Sequence, residues 1–158
     1  MAIRSRLLDE LKQTRPFPSK AAEAGIALLR TANMVHREAE GLAQTEGISL
    51  AQYNVLRILR GARGPLPTME IAERLIEQTP GITRLVTNLE EKGLLRREQW
   101  AGDRRQILCQ ITAAGLKLLE RLDAPMDQFD DRALGHLTES QLDTLIDLLD
   151  RIRNGPPE

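Results

Sequence analysis

The sequence predicts a mainly α fold with a small β-hairpin, and three observations carry that prediction. Aromatic residues make up only 3% of the 158 residues, so the core must come from Leu, Ile, Val and Ala, which suits helix packing better than a β-sandwich. Apolar residues recur at three- and four-residue spacing along most of the chain. Between Leu94 and Ile111 that period is lost, and two short runs flank a turn containing Gly102.

Each element follows from local signals. Residues 3–12 put Ile3, Leu7, Leu8 and Leu11 on one face until Pro16-Phe17-Pro18 breaks the chain, giving a short N-terminal arm. Ser19 is placed to cap a long helix whose stripe is Ala21, Ala24, Leu28, Ala32, Val35, Ala39 and Leu42, ending near Gly47. Ser49 with Gln52 forms a capping-box pattern before Tyr53, Leu56 and Leu59, which predicts a helix over 50–61. Pro65 and Pro67 make a stiff connector. Thr68 can cap a short helix carrying Ile71, Ala72 and Leu75, and Thr79-Pro80 starts another that ends at Lys92-Gly93. The runs Leu94–Gln99 and Gln106–Ile111 then read as a hairpin. Thr112 caps a helix with Leu116, Leu119 and Leu122, expected to bend near Pro125, and Thr138 with Gln141 opens a last helix.

Composition bounds the function. Hydrophobic residues are 41% and charged residues 28%, as in a globular chain and unlike a disordered one. No apolar run approaches the ~18 residues of a membrane span, and Arg4, Arg6, Asp9, Glu10 and Lys12 occupy the place of a signal peptide's apolar stretch, so a cytoplasmic protein with no membrane partner is expected. Cys109 is the single cysteine and the two histidines lie 100 positions apart, which excludes an internal disulfide and a Cys/His zinc cage; neither metal nor cofactor is expected. Residues 1–48 hold 7 basic and 6 acidic groups, 49–111 hold 10 and 7, and 112–158 hold 5 and 10. A basic middle suits a phosphate-binding lobe in a larger helical frame, although scattered charge accounts for the division equally well.

The most informative stretch is 80–105. Ile82, Leu85, Val86 and Leu89 share one face of their helix, leaving Arg84, Thr87 and Asn88 opposite and Thr83 at the flank. Arg, Asn and Thr can all hydrogen-bond base edges in a major groove. A merely solvated polar face is the more frequent reason for such a helix, but the hairpin beside it shifts the balance. Its stems carry Arg96 and Arg97 and its tip carries Asp103-Arg104-Arg105, where an arginine can enter the electronegative minor groove while a carboxylate orients a guanidinium. The economical reading is a winged helix-turn-helix lobe attached to a helical dimerisation frame.

In its motifs the chain resembles the multiple-antibiotic-resistance regulator (MarR) family of bacterial transcription factors. The resemblance covers about residues 49–122, through "SLAQYNVLRIL", "MEIAERL", "GITRLVTNLEEKGLLRRE", "GDRRQILCQIT" and "AAGLKLLERL" in the expected order. It implies that the Pro80–Lys92 helix, with Pro80, Gly81, Thr83, Arg84, Thr87 and Asn88, reads the major groove. Arg104 would then probe the minor groove, Asp103 and Arg105 would fix the wing tip, and Arg96 and Arg97 would complete the wing. One departure is visible: the family's usual Gly-Val in the helix turn is replaced by Ile76-Glu77.

The resemblance also assigns the terminal helices to a homodimer. The residues support this independently, because Leu142, Leu145, Ile146, Leu149 and Ile152 form a stripe on a last helix with little core of its own; packing within one subunit is the alternative. A symmetric dimer would meet a palindromic operator in double-stranded DNA. The implied organisation is an arm and first dimerisation helix at 1–48, the DNA-binding lobe at 49–111 and C-terminal dimerisation helices at 112–158. A small aromatic or anionic effector is implied near His36, Tyr53 and Arg57, with a structural role for His36 the alternative, and a repressor relieved by that effector is the expected output. Cys109 is expected to be structural, and the carboxylates Asp127, Asp130, Asp131, Asp143, Asp147 and Asp150 to be a solvated face. No catalytic motif is present, so an enzyme is not expected. The alternative function is a winged-helix protein-interaction module without DNA binding.

Overall fold

A computed structural model describes residues 6–78 and 81–155. The chain divides into two compact units, residues 1–38 and 39–158. In the first, α1 (Leu7–Glu10) is a single turn that buries Leu7, with Ile3 outside the described residues. Of the predicted 3–12 arm, the described part is helical over Leu7–Glu10 and turns at Leu11 and Lys12. Arg30 donates to Glu10 across 2.9 Å, and Ser19 Oγ accepts from the Ala22 N–H at 3.1 Å, the expected cap of α2 (Lys20–Gln44).

The second unit is built around α3 (Leu50–Gly61), whose capping box forms as the spacing requires. The Gln52 N–H donates to Ser49 Oγ at 3.1 Å, and the Ser49 N–H donates back to Gln52 Oε1 at 3.0 Å. Val55, Leu56 and Leu59 of α3 are buried against Ile71 of α4 (Thr68–Arg74), Leu75, Val86 and Leu89 of α5 (Ile82–Glu91), and Leu118, Leu119 and Leu122 of α6 (Ala113–Leu134). This aliphatic cluster is the core the low aromatic content demands.

The hairpin of β2 (Leu95–Trp100) and β3 (Asp103–Ile111) is present, but it belongs to a three-stranded sheet of order β1-β3-β2. The added strand, β1 (Leu66–Pro67), lies in the stretch expected to be only a connector and pairs antiparallel with Leu108 and Cys109. Proline is tolerated there because β1 is an edge strand.

A tight joint links the end of α5 to the start of α6. Gly93 adopts φ +71°, and the Leu94 N–H reaches back to the Leu89 carbonyl at 2.9 Å, the usual way of closing a helix with glycine. Thr112 then caps α6: its hydroxyl donates to the Gly93 carbonyl at 2.7 Å and accepts from the Gly115 N–H at 3.1 Å, while its own N–H donates to the Leu94 carbonyl at 3.1 Å. Gly115 sits so close that a Cβ there would lie 2.3 Å from the Leu94 carbonyl oxygen.

One expectation for the last helices needs correction. α6 carries Pro125 within it and runs to Leu134, and its buried face is Gly115, Leu118, Leu119, Leu122, Met126 and Phe129. Leu116, placed in the sequence stripe, is exposed because it lies about 100° around the helix from Gly115. α7 (Glu139–Asn154) begins with the expected Thr138–Gln141 capping box and has no buried residue. Ile146 and Ile152 are 57% and 65% exposed, and Leu142, Leu145 and Leu149 are half-buried. Among the described residues, no helix is long and apolar enough to cross a membrane.

Candidate nucleic-acid interface

The helix expected to read DNA, α5, starts at Ile82, two residues later than Pro80. Its N-cap is Gly81, at φ +121°, a backbone conformation that favours glycine, and its carbonyl accepts from the N–H groups of Arg84 and Leu85. Thr79 and Pro80, expected to start this helix, lie outside the described residues. The amphipathic division holds in part: Val86 and Leu89 are buried, Ile82 and Leu85 half-buried, and Thr83 and Arg84 exposed, whereas Thr87 and Asn88, expected opposite the core, are half-buried. Arg84 and Asn88 make no side-chain hydrogen bond or ion pair with other described residues, so their donors are open to a ligand.

Thr87 has a different role. Its hydroxyl donates to the Thr83 carbonyl at 2.8 Å and accepts from Arg97 Nη1 at 3.2 Å. Arg97 also donates through Nε to Glu90 Oε2 at 2.7 Å, and its N–H donates to Glu90 Oε1 at 3.0 Å. The Arg97 hydrogen bond holds the Glu90 carboxyl below the usual carboxylate range. Arg97, grouped by sequence with the wing cations, thus clamps β2 to α5. Arg96 is likewise engaged, its Nε and Nη2 both donating to Gln110 Oε1, at 3.2 and 2.6 Å.

The tip has the opposite character. Gln99 pairs with Ile107 and Trp100 with Asp103, so Arg104, Arg105 and Gln106 have no counterparts on β2 and form a bulge. Asp103 Oδ1 accepts from the Arg105 N–H at 3.0 Å and lies 3.7 Å from Arg105 Nε, with the Arg105 side chain 95% exposed. Arg104 has no side-chain partner among the described residues. A short carboxylate turn therefore shapes a projection carrying two cations, as an anionic groove would require.

The residues expected near an effector are divided between the units. His36 is an exposed residue of the first. In the second, Tyr53 is buried with the Arg57 guanidinium 5.8 Å from its ring centroid, and burial raises the phenol's pKa. Cys109 is fully buried in the core, its sulfur 3.6 Å from Thr68 Oγ1, and burial raises its thiol pKa. Among the described residues, no three His, Cys, Asp or Glu side chains are grouped to hold a metal. Sequence reasoning missed the Arg97–Glu90–Thr87 clamp, and the only available signal was an acid on α5 seven residues before a strand arginine.

Residues 48–107 match the MarR family model. A solved MarR transcription factor from Planctomyces limnophilus is 37% identical to this chain, covering 85% of it and 98% of that chain, with a TM-score of 0.67. A curated relative assigned to regulation of the hcr operon in Thauera aromatica is 30% identical, across 85% of this chain and 81% of its own length. The fold is also shared with two Streptomyces coelicolor regulators. One was solved in complex with DNA (20% identity, TM-score 0.78, 90% of this chain and 92% of that one), and PcaV was solved with its natural ligand (23%, 0.76, 89% and 99%).

Proposed function

The chain belongs to the MarR family of transcriptional regulators, and on that premise we propose that it is a homodimeric, sequence-specific DNA-binding repressor released from its operator by a small molecule. It is a regulator and not an enzyme. The observation that carries the DNA reading is the contrast among the arginines: Arg96 and Arg97 are bonded within the lobe, whereas Arg84 and Arg104 are free of partners there. Residues 49–111 form the reading lobe in this scheme, and 1–48 and 112–158 provide the dimer frame. The site is double-stranded DNA inside the cytoplasm, near-palindromic, with half-site centres about 10 base pairs apart, because two helices related by a two-fold axis must meet one face of the duplex.

Selection of the purified protein on a random DNA pool, followed by salt-dependent titration of the selected duplex, tests this. Arg104→Ala should weaken binding to every duplex and flatten the salt dependence, since fewer counterions are released. Arg84→Ala and Asn88→Ala should relax base preference, at roughly 1–3 kcal/mol per good base contact. Arg97→Ala should also blur base preference while leaving the salt slope near wild type, because its charge is already paired. Equal binding by wild type and Arg104→Ala at all salt concentrations removes the wing from the mechanism, and no DNA binding at low salt favours the protein-interaction alternative.

The effector reading is supported by the ligand complex of a protein sharing the fold and by the Tyr53–Arg57 pair, an aromatic face with a cation above it. A small aromatic or anionic compound is the matching chemistry for that pair. Calorimetric titration with a compound panel, with and without operator DNA, should find one whose affinity falls when DNA is bound, by the factor with which it weakens DNA binding. Identical affinity in both states would mean occupancy without regulation.

A further inference from the structure

We propose that Trp100 is a DNA-contacting residue of the wing, its indole packing on the sugar-phosphate edge of the groove beside Arg104 and its ring N–H donating to a phosphate oxygen. This rests on the DNA-binding reading above. Trp100 is 46% exposed at the end of β2. It stands opposite Asp103, the residue that opens the bulge carrying Arg104 and Arg105. The six-membered part of its ring lies over Gly102, where a Cβ would come 2.9 Å from Trp100 Cζ2. The indole N–H has no partner among the described residues.

A hairpin turn does not require tryptophan; it asks for Gly, Asn or Asp at the tip, and Gly102 already meets that demand. An indole left half in water forgoes most of the stabilisation its apolar area would gain by burial, and it supports no core from that position. A flat apolar body with one donor on its edge matches deoxyribose beside phosphate. The neighbouring arginines supply the attraction that brings such a surface to the tip. Because the contact is to the backbone, its contribution is the same for all sequences.

Trp100 is the chain's single tryptophan, so its emission reports this ring alone. The full-length protein is titrated with a labelled duplex carrying its selected site. Anisotropy measures binding, and tryptophan emission and acrylamide quenching are read in parallel. The expected result is an emission change with the same midpoint as the anisotropy change, and reduced quenching in the complex. Trp100→Ala should weaken selected and random duplexes alike, by about tenfold, without altering the salt slope, and Trp100→Phe should fall between. The melting temperature of Trp100→Phe should match wild type, which keeps the comparison at the contact. Binding by anisotropy with emission and acrylamide access unchanged overturns the proposal, even if Trp100→Ala binds weakly, because the ring would then act only by shaping the turn. In that case the DNA reading stands. If no duplex binds at low salt, the DNA reading itself fails and the contact fails with it.

Discussion

Gly115→Ala should destabilise the fold by about 3 kcal/mol, the upper part of the range for forcing a methyl group into packed structure. The added carbon would sit 2.3 Å from the Leu94 carbonyl oxygen and 2.7 Å from Ile111 Cγ1. The first of these is backbone, fixed by the hydrogen bond it accepts from Thr112, so it cannot rotate away as a side chain would. For a chain of this length the melting temperature should fall by roughly 6–12 °C. Gly61→Ala is the matched comparison: apart from its chain neighbours and its own helix, nothing lies within 4 Å of the new carbon, so that variant should stay within about 0.5 kcal/mol of wild type. Thermal melts of the three proteins decide the matter. If Gly115→Ala melts with wild type, α6 does not seat on Leu94 as described.

The second large effect is expected from α7. None of its residues is buried, and Ile146 and Ile152 are more than half exposed. Apolar area of this kind on one helix face gains its stabilisation only when something covers it. The proposed cover is a second copy of the chain. Replacing both Ile146 and Ile152 by Asp places two charges on that face, so sedimentation should show single chains where wild type shows pairs, and deletion of 138–158 should do the same. Loss of the pair also separates the two half-site contacts, so affinity for the selected duplex should fall by about 10²-fold or more. An unchanged two-chain mass for the double variant would show that the interface lies elsewhere.

What could be read in the sequence was mostly what is local. The capping boxes at Ser49–Gln52 and Thr138–Gln141 each close within four residues, so spacing alone specifies them, and both form. The hairpin was legible from its change of period. β1 was not, because it is two residues long, contains a proline and pairs with Leu108 and Cys109 some forty residues away. Pro125 was legible as the site of a bend, because its missing N–H is a local signal; the buried face of Leu122, Met126 and Phe129 along which α6 continues across it was not, because it depends on packing. In the candidate site, the stem and tip positions of the four wing arginines were legible, but not that the stem pair is engaged within the lobe, Arg97 by Glu90 and Arg96 by Gln110. Spacing could not find these bonds, because the α5–β2 turn and the strand register bring the partners together.

The joint at Gly93, Leu94, Thr112 and Gly115 also has a mechanical consequence. α6 runs from Ala113 to Leu134, and at 1.5 Å per residue its 22 residues make an arm of about 33 Å. Its near end is fastened to Gly93 and Leu94, just past the end of α5, by hydrogen bonds and by a contact with no slack. Farther along, Asp123 is gripped by both terminal nitrogens of Arg60, at 2.9 and 3.0 Å. A swing of ~3 Å at the far end therefore corresponds to a tilt of ~5° at the near one, and the clamp from Arg97 to Glu90 makes the wing turn with the helix. Helix and wing are thus tied to each other and to one end of this arm. If α5 and the wing both contact DNA as proposed, a displacement of the arm would misalign the two together, and release from the site should be abrupt and not a loosening of one contact at a time.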